Sequence, residues 1–287
     1  MNDAMKTRLQ NHNLLGFRVN PGTIGDFIAF IDEAVGEKRK ETVFYHNLHS
    51  LYMFFTSNPL RQSYERVTVL ADGMPIIWLL KIMRMNAERE QRVTYVDFIW
   101  PMLEAARDNG WNVYHVGQEK SVQQNALDLI REKLPGISID GHDGYFDLTD
   151  NCSESQAVIE SINAHGTDLL LVGFGAPKQE LWVHAHREQI DAAAVFTCGA
   201  CMEYVAGAVK TPPRWMGKLG LEWSYRLIEN PRRFGFRYLI EPILLGFHLA
   251  RNLLSERSVG PAIHSTGNSE NGSVGDHATS VKSQAGN

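Results

Sequence analysis

Residues 169–182, Leu-Leu-Leu-Val-Gly-Phe-Gly-Ala-Pro-Lys-Gln-Glu-Leu-Trp, constrain the fold of this chain more than any other stretch. The first four form an apolar run of the length of a buried strand, and Gly173-Phe-Gly175 turns it sharply. Pro177 suits the first turn of a helix, where an absent N–H costs nothing. Lys178, Gln179 and Glu180 follow at once. They place a cation and an amide donor where free N–H groups and the positive end of the helix dipole already favour an anion. The same residues serve equally as an ordinary strand–turn–helix corner. A dinucleotide fingerprint would have glycine where Lys178 stands, and an acidic partner about 20 residues on. The chain supplies neither, which argues against a nicotinamide-dependent oxidoreductase.

The strand-to-helix pattern recurs. Short strand-like runs at residues 17–20, 42–45, 67–70, 111–116, 137–140, 169–172 and 193–197 alternate with helical spacing over 26–35, 50–57, 74–85, 96–107, 121–134 and 153–164. Thr23 or Asp26 caps the first helix, Ser121 with Gln124 reads as a capping box, and Ser153 with Gln156 opens another helix. This alternation predicts an α/β fold: a mainly parallel, Rossmann-like sheet with helices on both faces. In open sheets of that kind, ligands sit outside the carboxyl ends of the strands. Asn47, Asp72, residues 173–179 and Cys198-Gly199 all fall at such ends, so four strand ends converge on one site. Asp72, between an apolar strand and Gly73, can project into a site and serve as a general base. It can also be a turn aspartate bonded to its own backbone.

Beyond Gly207 the texture changes, and residues 1–207 are expected to form the α/β domain. Between Lys210 and Arg257 nine basic residues face four acidic ones, so this segment carries +5 and the rest of the chain −10, for the overall −5. Arginine is interleaved with Trp215, Trp223, Tyr225, Phe234, Phe236 and Tyr238, and residues 239–254 form an apolar helix too short to span a bilayer. Residues 208–257 therefore read as a helical module that docks on an anionic membrane surface. The alternative is a helix packed on the body or on a second copy of the chain, as a homo-oligomer seam. Residues 258–287, rich in Ser, Gly and Asn, are expected to be disordered.

Five ordered stretches are similar to a known family. They are Leu70-Ala-Asp-Gly73, Arg92-Val-Thr-Tyr-Val-Asp97, Asp143-Gly-Tyr-Phe-Asp147, Val172-Gly-Phe-Gly-Ala-Pro-Lys-Gln-Glu-Leu-Trp182, and Gly220-Leu-Glu-Trp-Ser-Tyr-Arg-Leu227 continuing to Pro231-Arg-Arg233. In that order they resemble the WecG/TagA/CpsF glycosyltransferases (glycosyltransferase family 26), over about residues 43–239. The resemblance implies an inverting, metal-independent glycosyltransferase. Its donor would be a UDP-sugar carrying N-acetylmannosamine, its uronic acid, glucose or glucuronic acid. Its acceptor would be a polyprenyl-diphosphate-linked saccharide in bacterial surface polysaccharide assembly. Asp72 matches the proposed base, and Arg92 an arginine that balances the diphosphate charge. Asn47, Gly173, Gly175, Lys178, Gln179 and Glu203 match donor-binding positions, and Arg214, Arg226 and Arg233 are the candidate arginines of the C-terminal module.

Three positions depart from the family pattern. Tyr45 stands where a Thr is usual, Gly199-Ala-Cys-Met-Glu203 replaces Gly-Gly-x-Phe-Asp, and Thr211-Pro-Pro213 replaces Arg-Ala-Pro. They keep a rival reading in view, a catalytically degenerate, membrane-docked nucleotide-binding protein of the same fold. No Asp-x-Asp is present, so arginines and helix N-termini are expected to neutralise the diphosphate, with no metal and no cofactor. The Cys198/Cys201 pair reads as two small residues packed at a strand end, and His184 and His186, two apart on a helix, point their rings away from each other. The net charge argues against a nucleic-acid partner. Residues 1–13 are polar, and the expected location is cytoplasmic, peripheral on the inner face of the cytoplasmic membrane.

Overall fold

A computed structural model of the chain describes residues 9–149 and 152–258, save the side chains of residues 214, 218, 219 and 255–258. The tail expected from residue 258 onward therefore lies outside the described residues, apart from Ser258, the last residue of the final helix. A two-stranded antiparallel hairpin, β1 (His12–Leu14) and β2 (Phe17–Val19), comes first. Then come β3 (Glu41–His46), β4 (Thr68–Ala71), β5 (Val113–Gly117), β6 (Ile139–His142), β7 (Leu169–Gly173) and β8 (Ala194–Thr197). These six form one sheet in the order β4-β3-β8-β7-β5-β6, with every neighbouring pair parallel.

The last strand of the sequence goes to the middle of the sheet. β8 pairs β3 on one side, with Thr42 opposite Val195, and β7 on the other, with Leu171 opposite Phe196. This insertion sets the ends of β4, β3, β8 and β7 side by side, the four ends on which polar and glycine-rich loops were expected to converge. Both central strands are buried along their whole length because helices cover both faces. Leu170, Val172 and Val195 pack with Phe54, Ile76 and Trp182 on one face. Leu169, Leu171 and Phe196 pack with Phe27, Phe98 and Met102 on the other. Each fully buried Leu or Phe contributes about 1.5–3 kcal/mol, so two apolar layers make a rigid base for the strand ends.

Local signals set the helix starts. Thr23 caps Ile24–Gly36 in a capping box with Asp26. Ser153 opens its helix as expected, as the first residue of Ser153–Ala164, after extended backbone at Cys152. The expected cap at Ser121 is corrected: the extended backbone that a cap needs falls at Glu119, so Ser121 lies inside helix Lys120–Lys133. Ser121 Oγ instead donates to Glu119 Oε1 at 3.2 Å.

Residues beyond 213 form helices Arg214–Leu219, Glu222–Glu229 and Pro231–Gly235, a π-helical turn Phe236–Ile240, and the final helix Glu241–Ser258. They fold back on the body. Leu245 enters the core with Leu249 and Leu253 beside it, and Asn252 Nδ2 donates to Leu15 O at 3.0 Å. Glu241 Oε2 lies 2.6 Å from His49 Nδ1. The opposite face of the same helix leaves Ile243, Phe247 and Leu254 exposed. Among the described residues, no helix is long and apolar enough to cross a membrane.

Candidate active site

The site grows from the end of β4. Asp72 N–H donates to His46 O at 2.9 Å, and Val93 N–H to Ala71 O at 3.0 Å, which extends the sheet pattern past the strand. Gly73, at φ +93°, then turns the chain into helix Met74–Ile82. That backbone conformation favours glycine and leaves the Asp72 side chain at the strand end. Asp72 Oδ2 accepts from Asn47 Nδ2 at 2.9 Å. Asn47 also caps helix Leu48–Thr56, its Oδ1 accepting from Ser50 N–H at 3.0 Å while Ser50 Oγ accepts from Asn47 N–H at 2.8 Å. One short side chain thus fixes a helix start and braces a carboxylate on the next strand. Burial raises the pKa of Asp72, while the Asn47 amide, Arg226, Arg237 and Arg92 all act against that rise.

Arg92 joins the body to the C-terminal segment. Its Nη2 lies 2.7 Å from Asp97 Oδ2, its Nη1 lies 3.5 Å from Glu222 Oε2, and Nη1 donates to Gly217 O at 3.3 Å. The guanidinium adds to the field at Asp72, yet it is held by a carboxylate of the body and by a carbonyl and a carboxylate of the C-terminal segment.

The loops after β7 and β8 are drawn together by Gln179, which is wholly buried. Its Oε1 accepts from Gly175 N–H and from Gly199 N–H, each at 3.1 Å. Its Nε2 donates to Glu180 Oε1 at 2.7 Å and to Tyr45 Oη at 3.3 Å. An amide has two lone pairs and two N–H groups, so Gln179 is saturated. The N–H groups of Gly175 and Gly199, which an anion would want, donate inward. Gly173 is required by close packing: a Cβ there would lie 2.7 Å from Gly199 O and 3.0 Å from Gln118 Nε2. Gly175, at φ +83°, is the left-handed turn residue. Lys178 is exposed at the start of helix Lys178–His186.

Three contributors were not foreseen from the sequence. Gln118 Nε2 donates to Gly173 O at 3.0 Å and to Gly199 O at 2.8 Å, locking the ends of β5, β7 and β8 together. Tyr45, where the family pattern has Thr, bridges the two halves of the site. Burial, and then Glu180 and Asp72, push its hydroxyl above the ordinary range. Arg237 is the third, and it acts on Asp72 alongside Arg226.

The C-terminal arginines divide their work. Arg226 lies 5.6 Å over the ring of Tyr204 and hydrogen-bonds with the Tyr238 hydroxyl. Arg233 is exposed, 5.4 Å from the Phe234 ring, and acts on Glu203 instead of Asp72. Glu203 is half-buried; burial raises its pKa and Arg233 lowers it. The side chain of Arg214 lies outside the described residues. The Nε–H groups of Arg226 and Arg237 are buried without a hydrogen-bond acceptor, so both guanidiniums keep a donor in hand.

Cys198 and Cys201 are buried free thiols at the end of β8. His186 Nδ1 lies 2.9 Å from Trp182 O. Among the described residues no cluster of three His, Cys, Asp or Glu side chains is placed to hold a metal. The assembled site offers a braced carboxylate in the field of Arg226, Arg237 and Arg92, and a rigid glycine-lined wall.

Comparison with known proteins agrees with this architecture. Residues 12–259 match the model of the family described as "Glycosyl transferase WecG/TagA/CpsF family". Over 195 residues the chain is 29% identical to the N-acetylglucosaminyldiphosphoundecaprenol N-acetyl-beta-D-mannosaminyltransferase of Staphylococcus aureus strain MW2, covering 68% of this chain and 71% of that protein. The proteins of the same name from strains NCTC 8325 / PS 47 and COL match to the same extent. With the match spanning most of its length, the chain belongs to the WecG/TagA/CpsF family of glycosyl transferases.

Proposed function

We propose that this glycosyltransferase moves a sugar from a UDP-linked donor to a polyprenyl-diphosphate-linked saccharide, with inversion and without a metal, in surface polysaccharide assembly. N-acetylmannosamine is the sugar that the relatives' names favour, and N-acetylglucosaminyl diphosphoundecaprenol the acceptor. The observation that carries the reading is Asp72, held by Asn47 at 2.9 Å inside the field of Arg92, Arg226 and Arg237. A carboxylate fixed there takes the proton of the attacking hydroxyl as the new glycosidic bond forms and the bond to the UDP oxygen breaks. The arginines then balance the charge that develops on the diphosphate.

In this reading Arg226 and Arg237 carry the diphosphate and Arg233 flanks it, with Arg214 kept as a further candidate. Gly173, Gly175, Gln179 and Asn47 shape the wall against which the donor lies, with Lys178 and Glu203 at its margins. Residues 208–257 serve as the membrane-docking module, the exposed Ile243 and Phe247 facing the lipid surface that holds the acceptor. UDP release from a panel of UDP-sugars, with a polyprenyl-diphosphate N-acetylglucosamine acceptor and with EDTA present, tests the proposal. Release that requires Mn²⁺ or Mg²⁺ would overturn the metal-free mechanism. UDP binding without turnover on any donor would favour the degenerate nucleotide-binding alternative.

A further inference from the structure

Glu180 is the least exposed carboxyl among the described residues, at 0%. Its Oε1 accepts from Gln179 Nε2 at 2.7 Å, while the Thr197 hydroxyl beside it and its own backbone N–H hold it only weakly. Its titratable neighbours from other elements are Tyr45 on β3 and Tyr64 at the end of helix Asn58–Ser63. A lone buried carboxyl costs stability unless it is fully bonded. Packing alone would be better served by an apolar side chain of the same size.

What the carboxyl does is choose the face that Gln179 presents. Gln179 Oε1 points at the N–H groups of Gly175 and Gly199 only while its Nε2 finds acceptors on the other side. Those acceptors are Glu180 Oε1 at 2.7 Å and Tyr45 Oη at 3.3 Å, and the carboxyl is the closer. A flipped amide would set two N–H donors against two N–H donors and push the loops after β7 and β8 apart. We propose that Glu180 is a positioning residue for donor binding: through Gln179 its carboxyl fixes the spacing of the loops that wall the donor cleft. The proposal rests on the reading of that cleft as the UDP-sugar site.

The test is calorimetric titration of the full chain with UDP at pH 7, with melting curves as a control on folding. Glu180→Gln keeps an acceptor for Gln179 Nε2 and should bind within about twofold of wild type. Glu180→Leu, which removes the acceptor, should bind about tenfold more weakly. In a Gln179→Ala background the same Leu substitution should cost nothing further, because the amide through which it acts is gone. UDP binding by Glu180→Leu at wild-type strength would overturn the proposal, and so would a full tenfold loss that persists in the Gln179→Ala background. If Glu180→Leu does not fold, Glu180→Met takes its place, and failure of both to fold would make Glu180 a residue of the fold and overturn its role at the site. Wild-type protein that does not bind UDP would overturn the donor-site reading itself, and this inference with it.

Discussion

At the carboxyl ends of the central strands, the amide side chains find well-formed hydrogen bonds within the body, although His46 Nε2 and Thr197 Oγ1 stay without one. Gln179 makes four hydrogen bonds, Asn47 divides its amide between a helix cap and Asp72, and Gln118 ties two backbone carbonyls. Across the cleft, in the C-terminal helices, Arg226 and Arg237 keep buried Nε–H donors without acceptors. A saturated wall stays put when a ligand arrives, whereas an unsatisfied guanidinium gains an acceptor. The sheet therefore supplies geometry and the C-terminal helices supply charge. Arg92 belongs to both, paired with Asp97 on the body and Glu222 on the segment.

Asp72 stands where the two regions meet, so its loss should have the largest effect. Asp72→Asn should lower turnover at saturating substrates by roughly 10²–10⁴ and leave UDP affinity within about twofold. Steady-state kinetics paired with UDP titration checks this. Near-normal turnover would remove Asp72 from the reaction and leave the charged side of the cleft without a base to serve.

The saturated wall has one weak member, and pH exposes it. Burial pushes Glu180 up to about 7 from its ordinary 4.5. The folded state then keeps a proton that the unfolded chain gives up. No stability is lost below pH 4.5, the loss grows as pH rises through this window, and it is complete above pH 7. Glu180→Gln removes the titration, so its stability relative to wild type should be higher at pH 8 than at pH 4.5 by ~3 kcal/mol. Urea melts at the two pH values measure it, and a pH-independent difference would mean that Glu180 does not titrate in this range.

On the other side of the cleft, Arg226→Ala and Arg237→Ala should each weaken UDP binding by about tenfold to a hundredfold, the range of charge-assisted hydrogen bonds. Arg233→Ala, whose guanidinium is exposed and faces Glu203, should change it by about threefold at most. Titration of the three variants decides the matter. Equal losses at all three would erase the distinction between arginines that face Asp72 and the one that does not.

Much of this was legible in the sequence because it is written locally. Apolar runs ending in Asp72-Gly73 and Gly173-Phe-Gly175 are strands that deliver side chains and turns to one edge of a sheet, and the structure has them there. The order of the strands was not legible. β7 and β8 are uniformly apolar, and nothing in such a run says which neighbours it takes. Ser121 misled because a capping residue is defined by extended backbone, which falls at Glu119. Arg237 was hidden among its fellows, since the π-helical turn Phe236–Ile240 sets its direction and no sequence period announces such a turn. Gln118 lies one residue past a strand end, at φ +66°, in a segment with no motif to mark it.

The smallest expected effect separates the two faces of the final helix. Leu245 is 2% exposed within the core and Phe247, two residues on, is 71% exposed. Packing accounts for the first and leaves the second unexplained. With Ile243 it forms an exposed apolar face on a segment that also exposes Trp215 and Trp223, the composition that headgroup layers favour. Ile243→Ser with Phe247→Ser should leave the melting temperature unchanged and weaken co-sedimentation with anionic liposomes by a few-fold, since most of the attraction would remain in basic residues worth about 1 kcal/mol each. Leu245→Ala should instead cost about 2–5 kcal/mol of stability. Raising the salt should weaken liposome binding of both wild type and the double serine variant, because charges near a surface are screened within about 10 Å at 0.1 M. Wild-type protein that ignores anionic liposomes at low salt would break the membrane assignment. The exposed face would then be a seam for a second copy of the chain, and the serine pair should shift the oligomeric state in its place.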